Sequence, residues 1–179
     1  RAIFGMERIH TGRVWIDERE VRLRNPTDAI RHGLGLLTRD RRQGLVPALP
    51  VAPNISLANI SQLPLPSPLR LRAENRVAAE YVRSLRIQCP RPKRPVMYLS
   101  GGNQQKVVVG RSLARGPNVL LLDDPTAGID IGSRRDLLAH VRRFADDGGA
   151  VVVVSSELED LGRIADRVIV LARGAIVQV

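Results

Sequence analysis

Residues 97–106 read Met-Tyr-Leu-Ser-Gly-Gly-Asn-Gln-Gln-Lys, and thirteen residues beyond Lys106 begins Val-Leu-Leu-Leu-Asp-Asp-Pro-Thr-Ala-Gly-Ile-Asp. A Ser-Gly-Gly turn that opens a helix gathers unpaired backbone N–H groups and a partial positive charge at one point, where phosphate is stabilised. A short apolar strand that ends in acids presents the oxygen ligands Mg²⁺ takes, at the strand end where open α/β sheets bind ligands. In this order and spacing the two segments point to a nucleotide-phosphate arrangement.

The flanking pattern supplies the sheet. Strand Val119–Asp123 leads to a helix over Ser133–Asp146, a Gly148-Gly149 turn and strand Ala150–Val154. A short helix over Glu157–Ile164, strand Arg167–Leu171 and a Gly174 turn into an edge strand complete the series. Apolar strands alternating with helices predict a mainly parallel α/β sheet. Upstream, Gly12–Ile16 alternates like a half-buried strand. Asn25-Pro26-Thr27-Asp28 starts a helix that ends at Gly33, and Leu34–Thr38 returns as a strand.

Residues 46–115 break this rhythm. Six prolines between Leu45 and Pro68 leave room for a helix such as Asn54–Ile60. Leu69–Ile87 reads as an amphipathic helix, with Val77, Tyr81 and Leu85 four apart. After a connector at Cys89–Pro95, a helix over Gly102–Arg115 carries Val107, Val108 and Val109, weak helix formers that burial on both sides would accommodate. The organisation expected is residues 1–45 and 116–179 as one core, interrupted by a helical subdomain at 46–115.

These motifs resemble those of the ABC-transporter ATPases. Leu99-Ser100-Gly101-Gly102 is similar to the family's signature loop, Val119–Asp123 to its Walker B strand, and Ala127-Gly128-Ile129-Asp130 to the loop that follows. The variant Asn103-Gln104-Gln105-Lys106 narrows the likeness to the second nucleotide-binding domain of the fused ATPases that drive bacterial monosaccharide import, over about Gly12–Val179. The resemblance implies a P-loop NTPase-like, mainly parallel sheet with an inserted α-helical subdomain, and ATP and Mg²⁺ as cofactors. It assigns Asp123 to the Mg²⁺ side, Asp124 to the place of the water-polarising Glu, and Ser156 to the place of a γ-phosphate-contacting His. Ser100, Gly101 and Gly102, with Leu99, Asn103 and Gln104, would cover an ATP held by a partner domain, and Asp130 would touch that partner across the seam. Arg39 stands at the Q-loop position, where relatives carry Gln or Glu.

Each assignment has a plainer alternative. Asp123 or Asp124 can cap or charge the following turn, and Ser100 can merely cap the helix. His10 and His32 precede the helical insert, and His140 falls mid-helix, where it is expected to be exposed. The Gly-x-x-x-x-Gly-Lys-Ser/Thr loop that wraps phosphates is absent, since no Gly-Lys dipeptide occurs. In the family that loop lies just before a segment resembling Arg1–Gly5, so the fold is expected to be incomplete at its N-terminus. A missing central strand would leave apolar faces of its neighbours uncovered. Asp124 is also one methylene shorter than Glu, roughly 1.5 Å of reach, a misplacement that can cost on the order of 10²-fold in rate.

Composition narrows the partners. The net charge is +10, but the positive charge is almost all Arg spread along the chain, with Lys93 and Lys106 the only lysines. Five aromatics, none set within an Arg cluster, argue against nucleic-acid binding. Lone Cys89 forms no internal disulfide. With no apolar run of about 20 residues to span a bilayer and no signal peptide, the expected location is cytoplasmic, peripheral on the inner face of the membrane. The resemblance implies as partners the first nucleotide-binding domain or a homodimer mate, a membrane permease and, indirectly, a sugar-binding protein. A nucleoside-type importer ATPase, a permease-free soluble ABC ATPase and an inactive truncated product remain as alternatives.

Overall fold

The computed structural model describes residues 1–59 and 68–179. After a 3₁₀ turn at Ala2–Phe4 comes a hairpin, β1 (Val14–Ile16) paired antiparallel with β2 (Arg19–Val21). Asp17 and Glu18 turn it with positive φ at both residues, a backbone state that sequence seldom signals without Gly or Asn. Helix α1 (Pro26–Arg31) starts as expected, with Pro26 in its first turn and the Asn25 side chain accepting from the Asp28 N–H.

Strand β3 (Leu34–Leu37) follows, and then the helical segment. Helix α2 (Val51–Ser56) begins three residues before the expected Asn54, because Pro50 and Pro53 sit where a helix has no N–H bonds to lose. Asn54 organises the approach instead: its buried amide bonds the N–H of Val46 and the carbonyls of Val46, Leu49 and Pro50. A 3₁₀ turn, Leu57–Asn59, continues α2, and the expected end at Ile60 lies outside the described residues. Helix α3 (Pro68–Ser84) stops short of the expected Ile87, where Arg86 takes a positive φ.

Helix α4 (Gly101–Ala114) is the central packing element. Val107, Val108 and Val109 are all buried, in one cluster with Ile55, Leu85, Leu37, Leu122 and Leu137. Contact with the helical segment on one side and the sheet on the other outweighs their poor helix propensity. Beyond it come β4 (Val119–Asp123), α5 (Ile131–Asp146), β5 (Ala150–Val154) and α6 (Leu158–Ile164). Among the described residues the parallel sheet has the order β3-β4-β5, with Leu34 opposite Val119 and Val119 opposite Ala150.

The final strands depart from expectation. The strand expected at Arg167–Leu171 is β6 (Val170–Ala172), which pairs antiparallel with β7 (Ala175–Gln178) in a hairpin separate from the sheet. Arg173 and Gly174, both at positive φ, close a two-residue turn that makes β7 the nearest partner. Alternation of strands and helices signals a parallel sheet without specifying which strands lie side by side. Val152 and Val154 of β5 are exposed, as are Leu171, Ile176 and Val177 of the hairpin, so apolar side chains stand uncovered on both.

Candidate functional site

The carboxyl ends of the three parallel strands bring together residues far apart in sequence. Asp124 leaves β4 in a left-handed conformation, φ 44°, that Asp tolerates better than most side chains. Its N–H donates to the Val154 carbonyl at 2.8 Å, which locks it to the end of β5. Its Oδ1 accepts from the Ser156 N–H at 3.0 Å, with Ser156 Oγ 3.4 Å away. Its Oδ2 lies 3.7 Å from Arg39 Nη1, whose side chain extends from the segment after β3. Arg39, Asp124 and Ser156, the three positions singled out by the resemblance, thus meet in one cluster. With both oxygens engaged and its side chain only 14% exposed, the Asp124 carboxylate is held in place at the end of β4.

Asp123, one residue earlier, behaves differently. It lines a cleft of about 440 Å³ together with Arg1, Thr38, Arg39, Gln43 and Gly128. Among the described residues its carboxylate takes part in no hydrogen bond or ion pair. Nor do the described residues hold any group of three or more His, Cys, Asp or Glu able to cage a metal. One unengaged carboxylate on an open cleft suits Mg²⁺, which keeps several waters and binds through one or two carboxylates plus substrate phosphates. Zinc, which needs several protein ligands, does not fit.

The second locus is the start of α4. Ser100 is its N-cap, accepting from the Asn103 N–H at 3.4 Å and from Asn103 Nδ2 at 2.9 Å. Both bonds use the oxygen as acceptor, so capping leaves the hydroxyl hydrogen free to be donated elsewhere. Asn103 Oδ1 accepts from the Gln88 N–H at 2.7 Å. Gln104 pins the preceding turn by donating to the carbonyls of Val96 and Leu99, and its Oε1 accepts from Arg41 Nε at 3.1 Å. Leu99 is half-buried against the main core.

Glycine is required at residue 102, and residue 101 is tight. A Cβ on Gly102 would lie 2.7 Å from Ser133 Cβ and 2.8 Å from Asp130 Oδ2, and one on Gly101 would lie 3.2 Å from Arg41 Nη2. Gly102 therefore backs directly onto the first turn of α5. Asp130 caps that helix by accepting from the Ser133 N–H at 2.9 Å, a bond that holds its carboxyl below the usual carboxylate range.

Several residues that sequence reasoning passed over join the two loci. Asp40 caps the 3₁₀ turn Arg41–Gly44 and pairs with Arg42, which leaves Arg41 to bridge the segment after β3 to Gln104. The run Arg39-Asp40-Arg41-Arg42 reads in sequence only as local charge, with nothing to link it to residue 104. Gln105 donates to the Pro125 carbonyl at 2.8 Å, and Lys106, 6% exposed, bonds Asp136 at 2.7 Å. His140 is half-buried on the Asp136 side of α5 rather than exposed, and burial pushes its imidazole down from the usual value. Leu137 and Val141 on the same helix pack into the core and draw that face inward.

A family profile described as ABC transporter matches residues 1–127. The chain is 39% identical over 176 residues to the ribose import ATP-binding protein RbsA of Geobacillus kaustophilus, covering 98% of this chain and 36% of that protein. It is 42% identical over 182 residues to a putative ribose/galactose/methyl galactoside import ATP-binding protein of Burkholderia ambifaria, covering 100% of this chain and 35% of that one. It therefore spans about a third of the length of these curated relatives. Among solved structures it is similar in fold to an ATP-binding cassette captured as a dimer after hydrolysis with ADP and Pi. That likeness has a TM-score of 0.81 at 22% identity and covers 99% of this chain and 76% of that one.

Proposed function

This chain belongs to the ABC transporter family, and from that premise we propose that it is a segment of an importer ATPase whose main task is to supply a signature loop. In this reading Ser100, Gly101 and Gly102 lie over the phosphates of an ATP held by a partner nucleotide-binding domain. Ser100 donates its hydroxyl hydrogen, and the α4 N–H groups face the negative charge. Asp130, at the adjacent start of α5, meets the partner at the seam. The partner is the first nucleotide-binding domain of the same protein or a second copy, and the pair drives a permease on the inner face of the membrane to take up a monosaccharide.

One observation carries this reading. The signature turn is intact and braced, whereas Asp124, the group that would polarise water at the chain's own site, is held by Ser156 and faced by Arg39. Asp123 would hold Mg²⁺ through water, and the ion would neutralise phosphate charge there. The donors that stabilise a transferring phosphoryl group are otherwise sparse at this site, where Ser156 replaces a ring nitrogen. Turnover at this site is therefore slow. The test is ATPase activity of the complete protein after the first domain's site has been disabled. The reading expects activity to collapse, and turnover near that of the unaltered protein would overturn it.

A further inference from the structure

Asp160 is buried, 2% exposed, and belongs to none of the motifs discussed so far. Its Oδ2 accepts from Thr126 Oγ1 at 2.7 Å and its Oδ1 from Arg134 Nε at 2.7 Å. Arg134 also reaches Glu157 Oε2 at 3.3 Å, and its N–H bonds the Asp130 carbonyl. A buried carboxylate is tolerated only when paired and hydrogen-bonded, and here both oxygens are satisfied. The partners come from three different places. Thr126 is two residues past Asp124, Arg134 stands in the first turn of α5 after Asp130, and Glu157 directly follows Ser156.

We propose that Asp160 is a positioning residue that, through Thr126 and Arg134, holds the Ser156 loop in register against Asp124 and the start of α5. The Ser156–Asp124 bond spans two loops, and the ladder joining β4 to β5 ends just before it, at Asp123–Val154. Without the clamp, those loops would be joined beyond the strands mainly by that one exposed contact. The clamp itself is independent of nucleotide. Its consequence for ATP chemistry rests on the function proposed above.

The test is amide hydrogen exchange on the 179-residue chain carrying Asp160→Asn or Thr126→Val, resolved at Ser156 and Ala127, with Leu121 and Val109 as core references. The expected result is exchange at Ser156 and Ala127 faster by about tenfold or more while the references change far less, the signature of local opening. Thr126→Val removes one hydroxyl and decides the matter if Asp160→Asn does not fold. Uniform acceleration across loop and references, or no change at Ser156, would overturn the proposal, since a purely structural role loosens everything together. A second arm measures ATP turnover in the complete protein bearing Thr126→Val. The functional reading expects local opening with turnover changed less than about twofold, because this site contributes little. A roughly tenfold loss of turnover would leave the clamp standing and count against that reading.

Discussion

The start of α4 and the carboxyl end of β4 are built on opposite plans. At α4 every polar side chain of the turn is used to shape the backbone, and what remains to be offered outward is a hydroxyl hydrogen and N–H groups. Behind it, Gln105, Lys106 and three valines are buried, so the turn rests on a well-buried helix. At β4 the Asp124 carboxylate, by contrast, is engaged on both oxygens. In the function proposed above, the contrast means that one half of a composite nucleotide site is kept while the other drifts, because the two halves would serve different ATP molecules.

Substitutions can break or sharpen this contrast. The largest effect is expected from Gly102→Val, because the branched side chain would be driven into Ser133 and Asp130. Overpacking of this kind costs about 1–3 kcal/mol or more. ATP retention by the assembled pair should fall on the order of 10²-fold, since a displaced turn misplaces every donor; nucleotide dissociation kinetics would read it.

Next comes Asp136→Asn, which leaves Lys106 buried without its counter-charge. Breaking such a pair costs roughly 2–3 kcal/mol here, less than at a fully buried site because Asp136 is 32% exposed. A denaturant melt would measure it. The hydrogen bond from Lys106 also holds the Asp136 carboxyl below its usual value. A carboxylate depressed in the folded state stabilises fully above its unfolded value, about pH 4, and that contribution is lost as the pH falls through the depressed value. The unaltered chain should therefore lose stability on acidification below about pH 4, and Asp136→Asn should lose less over the same range.

Ser100→Ala is expected to cost about 1 kcal/mol through loss of the helix cap, together with a weaker hold on the partner's ATP. Ser100→Asp would restore the cap while placing a negative charge against phosphate. Recovered stability without recovered ATP retention would separate the two roles of this residue. Smallest of all is Asp124→Asn. In the complete protein it should change turnover less than about twofold, because this group contributes little transition-state stabilisation to begin with. A tenfold loss would show that β4 carries an active site after all.

Much of this arrangement could be read from the chain. The Ser-Gly-Gly turn, the strand before Asp123 and the helix with three valines all formed where the local pattern placed them, because each is specified by neighbouring residues. The Asp17–Glu18 turn was not legible, since neither residue advertises a positive φ. The Gly174 turn between the last two strands was legible, but their separation from the parallel sheet was not, because alternation of elements carries no information about lateral strand order. The contacts that decide the site, Asp124 with Ser156, Arg41 with Gln104 and Asp160 with Thr126, join residues 32, 63 and 34 positions apart. Nothing in local spacing announces them. They arise when parallel strands deliver their loops to one edge.

The central claim is that this chain covers a partner's nucleotide and holds little of its own. Its most direct test is titration calorimetry of Mg-ATP against the 179-residue chain, alone and mixed with the matching first domain. The account predicts no measurable binding by the chain alone and tighter ATP retention by the pair than by the first domain by itself. Micromolar binding by the chain alone, or no gain on pairing, would contradict it.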